Sequence, residues 1–110
     1  MTETEFLDLA DATLEAIEAA AEALAEESDL DIEVNRRGNV LELELEGGKV
    51  IVNSQAPMQE MWLAARAGGF HYRRENGQWL DTRSGKEMFA ALSEILSRQL
   101  GEDVKLESAD

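Results

Sequence analysis

Apolar residues recur at three- and four-residue steps through "TETEFLDLADATLEAIEAAAEALAEES". Phe6, Leu9, Thr13, Ile17, Ala20, Ala21 and Leu24 fall in one stripe, and that period predicts a long amphipathic helix. Thr2 with Glu5 forms a capping box at its start. The alanines favour helix and let a partner surface approach closely, and Ser28 with Asp29 ends the run. The period then drops to two. "DIEVN" turns Ile32 and Val34 inward, and "NVLELELE" turns Leu41, Leu43 and Leu45 inward, with Arg36, Arg37, Gly38 and Asn39 as the turn between them.

Gly47-Gly48 leads into a third strand, "KVIVNS", and Pro57 interrupts before a fourth, "EMWLAA". Gly68-Gly69 precedes "FHYRR", and Asn76-Gly77 is a hairpin signal into "QWLDT". "SGKEMFAALSEILSRQL" returns to the helical period. Ser84 and Glu87 form its capping box, Met88, Phe89, Leu92, Ile95, Leu96 and Leu100 its apolar face, and Gly101 its stop. In the tail, "EDVKLESAD", Val104 or Leu106 is the expected packing residue. The order is helix, about five or six strands joined by tight turns, then helix. Short connections imply an antiparallel meander. The predicted fold class is α+β: a two-layer α/β sandwich, with the N- and C-terminal helices packed on one face of the sheet and the other face wet. Residues 1–110 are expected to form one domain, and a chain of this length buries roughly 65% of its unfolded surface.

Charge sharpens this picture. The chain carries a formal net charge of −14, and its distribution is uneven. Residues 1–35 hold twelve acids and no Lys or Arg, while the remainder holds twelve acids with all ten bases. Such a field repels nucleic acid and anionic lipid and attracts cations or a basic protein surface. Neither nucleic acid nor membrane is an expected partner. There is no cysteine, which removes disulfides, thiolate metal sites and thiol catalysis. With no export signal and no apolar run approaching about 18 residues, the expected location is the cytoplasm.

Asp8, Asp11, Glu15, Glu18, Glu22 and Glu26 fall on one line of the first helix, opposite the apolar stripe. Asp11–Glu15, Glu18–Glu22 and Glu22–Glu26 are like-charge pairs four apart, each costing about 0.2–0.5 kcal/mol. A helix selected only for stability would interleave lysines here. Glu27, Asp29, Asp31 and Glu33 continue the row, and Glu42, Glu44 and Glu46 lie beside it if the first two strands pair. A solvated face that keeps the chain soluble explains this as readily as a cation- or partner-binding surface does. Carboxylates without His or Cys suit hard ions, held weakly when exposed. The single histidine, His71, reads as a solvated surface residue. The serines lack a triad pattern, Ser84 is explained as a cap, and the glycine pairs match no phosphate-binding loop. Nothing in these residues nominates an enzyme.

Trp62 is the exception to an ordinary core. In "EMWLAA", Met61, Leu63 and Ala65 take the apolar face, which puts Glu60, Trp62, Ala64 and Arg66 on the wet one. Ile51, Asn53, Ala64 and Gln55 are its expected neighbours there. An outward Trp among small and amide side chains suits a protein-binding anchor. A one-residue register shift would instead bury it, and Met61 and Leu63 favour the outward register. Trp79 is the expected buried tryptophan.

The stretch "NSQAPMQEMWLAARAGGFHY" resembles the signature of the frataxin family, in its bacterial branch. Asn53-x-Gln55-x-Pro57, Met61-Trp62-Leu63-Ala64 and Gly68-Gly69-Phe70-His71-Tyr72 follow in the family's order. Trp79 and Asp81-x-Arg83-Ser84-Gly85 then lead into the second helix, and "EFLDLADATLEAIE" with "SDLDIEVN" resembles the opening. The resemblance implies an iron-binding regulator of iron–sulfur cluster assembly, monomeric without iron. It implies weak binding of ferrous and ferric iron at an acidic ridge, here Glu18, Glu22, Glu26, Glu27, Asp29, Asp31 and Glu33. The implied partners are a cysteine desulfurase, met by that ridge, and an iron–sulfur scaffold protein, met by a sheet patch of Asn53, Gln55 and Trp62. An iron donor, storage or ferroxidase role is the alternative, and an acidic adaptor unrelated to iron a third reading. Ala19, Ala20, Ala21, Ala23 and Ala25 thin the acids relative to many family members, and Leu7 offers no imidazole near the helix start. Both departures bear on iron sites rather than on summed charge.

Overall fold

The computed structural model describes residues 1–107, so the final three tail positions lie outside it. The elements in chain order are α1 (Glu3–Ser28), β1 (Ile32–Arg37), β2 (Val40–Leu45), β3 (Gly48–Gln55), β4 (Glu60–Ala65), β5 (Gly68–Glu75), β6 (Gln78–Asp81) and α2 (Met88–Leu100). The six strands form one antiparallel sheet in the order β1-β2-β3-β4-β5-β6. Strand order equals chain order, the meander that the short connections require. Both helices cover one face, giving the predicted α+β sandwich. No helix among the described residues is long and apolar enough to cross a membrane.

The Thr2–Glu5 capping box forms in both directions, and Asp29 closes α1 in the left-handed region at φ 52°. Short polar side chains tolerate that conformation, and Asp29 donates its N–H back to Ala25. Phe6, Thr13, Ile17 and Ala21 are buried, and Ala10 and Leu14 join them. Leu9, Ala20 and Leu24 are only half-buried. The buried stripe is thus rotated toward the Ala10–Leu14 side of the predicted one. Leu41, Leu43, Leu45, Val50, Val52, Met61, Leu63 and Tyr72 supply the sheet's half of the core. Trp79 is 2% exposed and clamps the layers together. Its indole N–H donates to Thr13 Oγ1 on α1 at 2.9 Å, and its ring meets Phe6 edge-on at 6.1 Å.

Three local expectations change. Arg36 and Arg37 belong to β1, paired with Leu41 and Val40, so the turn shrinks to Gly38-Asn39. Gly38 takes φ 57° there, a conformation open to glycine without steric cost. Ser84 does not cap α2, which starts at Met88. Glu87 is its N-cap, its carboxylate accepting from Phe89 and Ala90 N–H, and Ser84 Oγ accepts from Lys86 N–H in the preceding loop. Asp81 has already turned the chain by accepting from Arg83 and Ser84 N–H. In the tail, Val104 and Leu106 are both buried, and the Ser93 and Ser97 hydroxyls hold their backbone.

Thr13→Val keeps the shape of the clamp and orphans the Trp79 N–H. Chemical denaturation should show a loss of about 1–3 kcal/mol with an unchanged m-value.

Candidate functional site: an acidic ridge beside an aromatic sheet patch

Every residue of the predicted ridge lies at the surface. Glu22, Glu26, Glu27, Asp29, Asp31 and Glu33 are exposed, and Glu18 is half-buried. The row runs down α1, through its C-cap and onto β1. Asp11, higher on the same line, pairs with Arg36, whereas none of the seven ridge acids has a cation within 4 Å among the described residues. α1 ends with Glu26, Glu27 and Asp29 and has no base in its last turn, so acids sit where the helix dipole is itself negative. On the sheet, Glu33 lies directly opposite Glu44, an unfavourable cross-strand pairing. Lys49 is the local relief: its ammonium lies 2.8 Å from Glu42, and the Glu42 hydrogen bond, with Glu42 and Glu44 charge, raises its pKa. Among the described residues no three carboxylate or imidazole groups converge on one metal-sized point. The ridge is a field of separate carboxylates.

Strand register places the patch. Across the uncovered face one row reads Arg37, Val40, Asn53, Trp62, His71, and the next reads Asn35, Glu42, Ile51, Ala64, Gly69. Trp62 points outward and is half-buried, as alternation predicts. Asn53 sits directly opposite it, and Gln55 Nε2 donates to Asn53 Oδ1 at 2.7 Å. The three predicted patch residues therefore come together. The ridge reaches the same face through Glu33, Glu44 and Glu42, so acid and aromatic surfaces are continuous.

Sequence reasoning missed what holds Trp62 in place. His71 stacks on it, ring centroids 4.3 Å apart and planes 8° from parallel. Beneath them Glu60 is only 3% exposed, although it lies on the uncovered face. Its carboxylate accepts from Trp62 Nε1 and from Arg73 Nε, each at 2.9 Å, and His71 Nδ1 lies 3.6 Å away. Burial pushes the Glu60 carboxyl up, but the hydrogen bonds from Trp62 and Arg73 and the Arg73 charge outweigh it and hold it below its ordinary value. His71 is exposed, as expected, and is in addition the stacking partner of Trp62. The available signal was spacing: Glu60 is two residues from Trp62 on one strand face, and Arg73 two from His71 on the next.

The lowered Glu60 pKa means its stabilisation is complete above the unfolded value near 4.5 and is lost as pH falls through the folded one. Glu60→Gln keeps an acceptor for Trp62 and loses the Arg73 pair. Denaturation should show it about 1–2 kcal/mol less stable than the parent at pH 7, with the gap closing as pH falls below the unfolded value near 4.5 and through the lowered folded one.

A family model described as a frataxin-like domain matches residues 1–102. The chain is 58% identical over 112 residues to the iron-sulfur cluster assembly protein CyaY of Janthinobacterium sp., covering 100% of both chains. It is 60% identical to the protein of that name from Cupriavidus taiwanensis, over 92% of each. Among solved structures it resembles a frataxin from Psychromonas ingrahamii, with a TM-score of 0.82 at 37% identity, covering 98% of this chain and 100% of that one. It also resembles trimeric yeast frataxin complexed with ferrous iron, with a TM-score of 0.75 at 27% identity, covering 84% and 86%.

Proposed function

Because this chain belongs to the frataxin family, we propose that it works in iron–sulfur cluster assembly as a non-enzymatic regulator. In this reading it is one domain that binds a cysteine desulfurase–scaffold complex in the cytoplasm. The observation that carries the reading is the continuity of two surfaces of different chemistry: the acid row of α1 and β1 passes through Glu33, Glu44 and Glu42 onto the uncovered sheet face that holds Trp62. The unneutralised row Glu18, Glu22, Glu26, Glu27, Asp29, Asp31 and Glu33 suits a basic surface of the desulfurase, where summed charge speeds encounter. Asn53, Gln55 and Trp62 offer amides and a rigid aromatic anchor to the scaffold protein. The names of the CyaY relatives support the pathway, and the acid cost accepted along α1 supports selection for charge over stability.

Iron, ferrous or ferric, enters this proposal as a weakly held cation. The donor set is carboxylate only and exposed, which suits hard ions exchanged easily with water. A yeast relative solved with ferrous iron supports iron association in the family. The ridge disperses its charge instead of closing around one ion, which supports a chain that is monomeric without iron and samples iron rather than storing it. Anaerobic calorimetry with ferrous iron should give weak, salt-erased binding. Stoichiometric sites of micromolar or tighter affinity would instead favour an iron donor, storage or ferroxidase role.

The desulfurase reading is tested by reversing Glu18, Glu22 and Asp29 to lysine together. Association with the desulfurase, followed by amide NMR or stopped flow at modest salt, should slow by at least tenfold and lose most of its salt dependence. Unchanged binding by the triple variant would remove the ridge from the interface.

A further inference from the structure

At the far end of the sheet, β6 is shorter than the strand it pairs with. Its register stops at Asp81 opposite Tyr72, so Gly68–His71 of β5, paired with β4 on one side, continue with no strand on the other. The last bond across this edge is Thr82 N–H to His71 C=O at 2.9 Å. Backbone groups alternate sides along a strand, so the N–H and C=O of Gly69, two residues earlier, face the same open side. A cavity of about 410 Å³ lies against that edge, floored by Phe70, Tyr72, Ala91 and Ile95. A second, of about 360 Å³, shares Ala67, Ile95 and Arg98 with it and extends toward Gly47 and Arg66. Together they form a trough that starts along the β5 edge and continues past the β4–β5 turn beneath α2.

The trough is basic on a chain of net charge −14. Arg66, Arg83, Lys86 and Arg98 line it against Asp81 and Glu94. Glu94 is paired with Lys86, and Asp81 accepts backbone N–H groups of its own loop. Arg83 and Arg98 have no carboxylate within 4 Å among the described residues. An apolar floor, an unpaired strand edge and an excess of basic groups over carboxylates have a common complement.

We propose that this trough binds an extended acidic segment of a partner protein by strand addition beside Gly68–His71. The Gly69 N–H and C=O hydrogen-bond the segment's backbone. Alternate apolar side chains of the segment rest on Phe70, Ala91 and Ile95, and its carboxylates meet Arg83 and Arg98. The ridge selects basic surfaces and the trough acidic ones, so the chain can hold two partners of opposite charge at once. This inference does not depend on the cluster-assembly reading.

The test is amide NMR of the full chain with a capped hexapeptide alternating glutamate with valine and leucine. A control peptide carries lysine for each glutamate. Saturable shifts at Gly68–His71, Thr82–Lys86 and the Ala91–Arg98 face, with slowed exchange of the Gly69 amide, are expected from the acidic peptide alone. The lysine peptide should shift the Glu18–Glu33 ridge instead. Arg83→Glu with Arg98→Glu, both at the surface, should weaken the acidic peptide at least tenfold. Shifts elsewhere, equal occupancy of the trough by both peptides, or binding undiminished by the double reversal would overturn the proposal. So would failure of the acidic peptide to saturate, including the case where a small aromatic sulfonate fills the trough in its place.

Discussion

Two helices cannot cover both faces of a six-stranded sheet, and the rest of this molecule follows from that shortage. Side-chain alternation sends half of each strand toward α1 and α2 and the other half to water. The covered half is aliphatic and closed by Trp79 against Thr13 and Phe6. The uncovered half is where chemistry can differ from packing, and register sorts it into bands. Acids occupy the β1–β2 end, amides and an aromatic stack the middle, and the open edge of β5 lies toward the far side. Because α1 crosses the sheet at its acidic end, the helix and strand carboxylates merge into one surface.

The buried carboxylate of Glu60 shows how such a face is kept rigid without a covering layer. An uncovered tryptophan loses the packing that normally fixes its rotamer. Here a stacked imidazole holds the ring from one side and a hydrogen bond to Glu60 fixes its edge. Arg73 supplies the charge that lets Glu60 stay ionised while desolvated. Trp62 is therefore presented in one orientation, which lowers the entropy a partner must remove on binding.

Much of this was legible in the chain, and the failures share a cause. The α1 stripe, the Leu41–Leu43–Leu45 face and outward Trp62 are periodic signals contained within single elements. Gln55 and Asn53 were found because they share a strand face near Trp62. The Glu60–Trp62–His71–Arg73 cluster escaped because it exists only once β4 and β5 pair in one particular register, which no local window contains. The α2 boundary moved for a similar reason: Leu80 bridges to Glu87 across the loop, so Ser84 is committed to a turn and Glu87 is left to cap the helix. Arg36 and Arg37 carry no apolar signal and so read as turn, but Gly38-Asn39 alone reverse the chain and leave both arginines in the ladder.

Identity of strand order and chain order has a consequence for how the molecule assembles. Each sheet pairing is a hairpin between neighbours, so the sheet can zip with short loop closures and little entropy lost at each. The clamp is different in kind: Thr13 and Trp79 are 66 residues apart, and their hydrogen bond joins the first element to the last strand. Such long-range docking adds to the sequence separation that slows folding. A hydrogen bond that closes the core thus also ties the first helix to the last strand, and it forms only once both ends of the chain are in place.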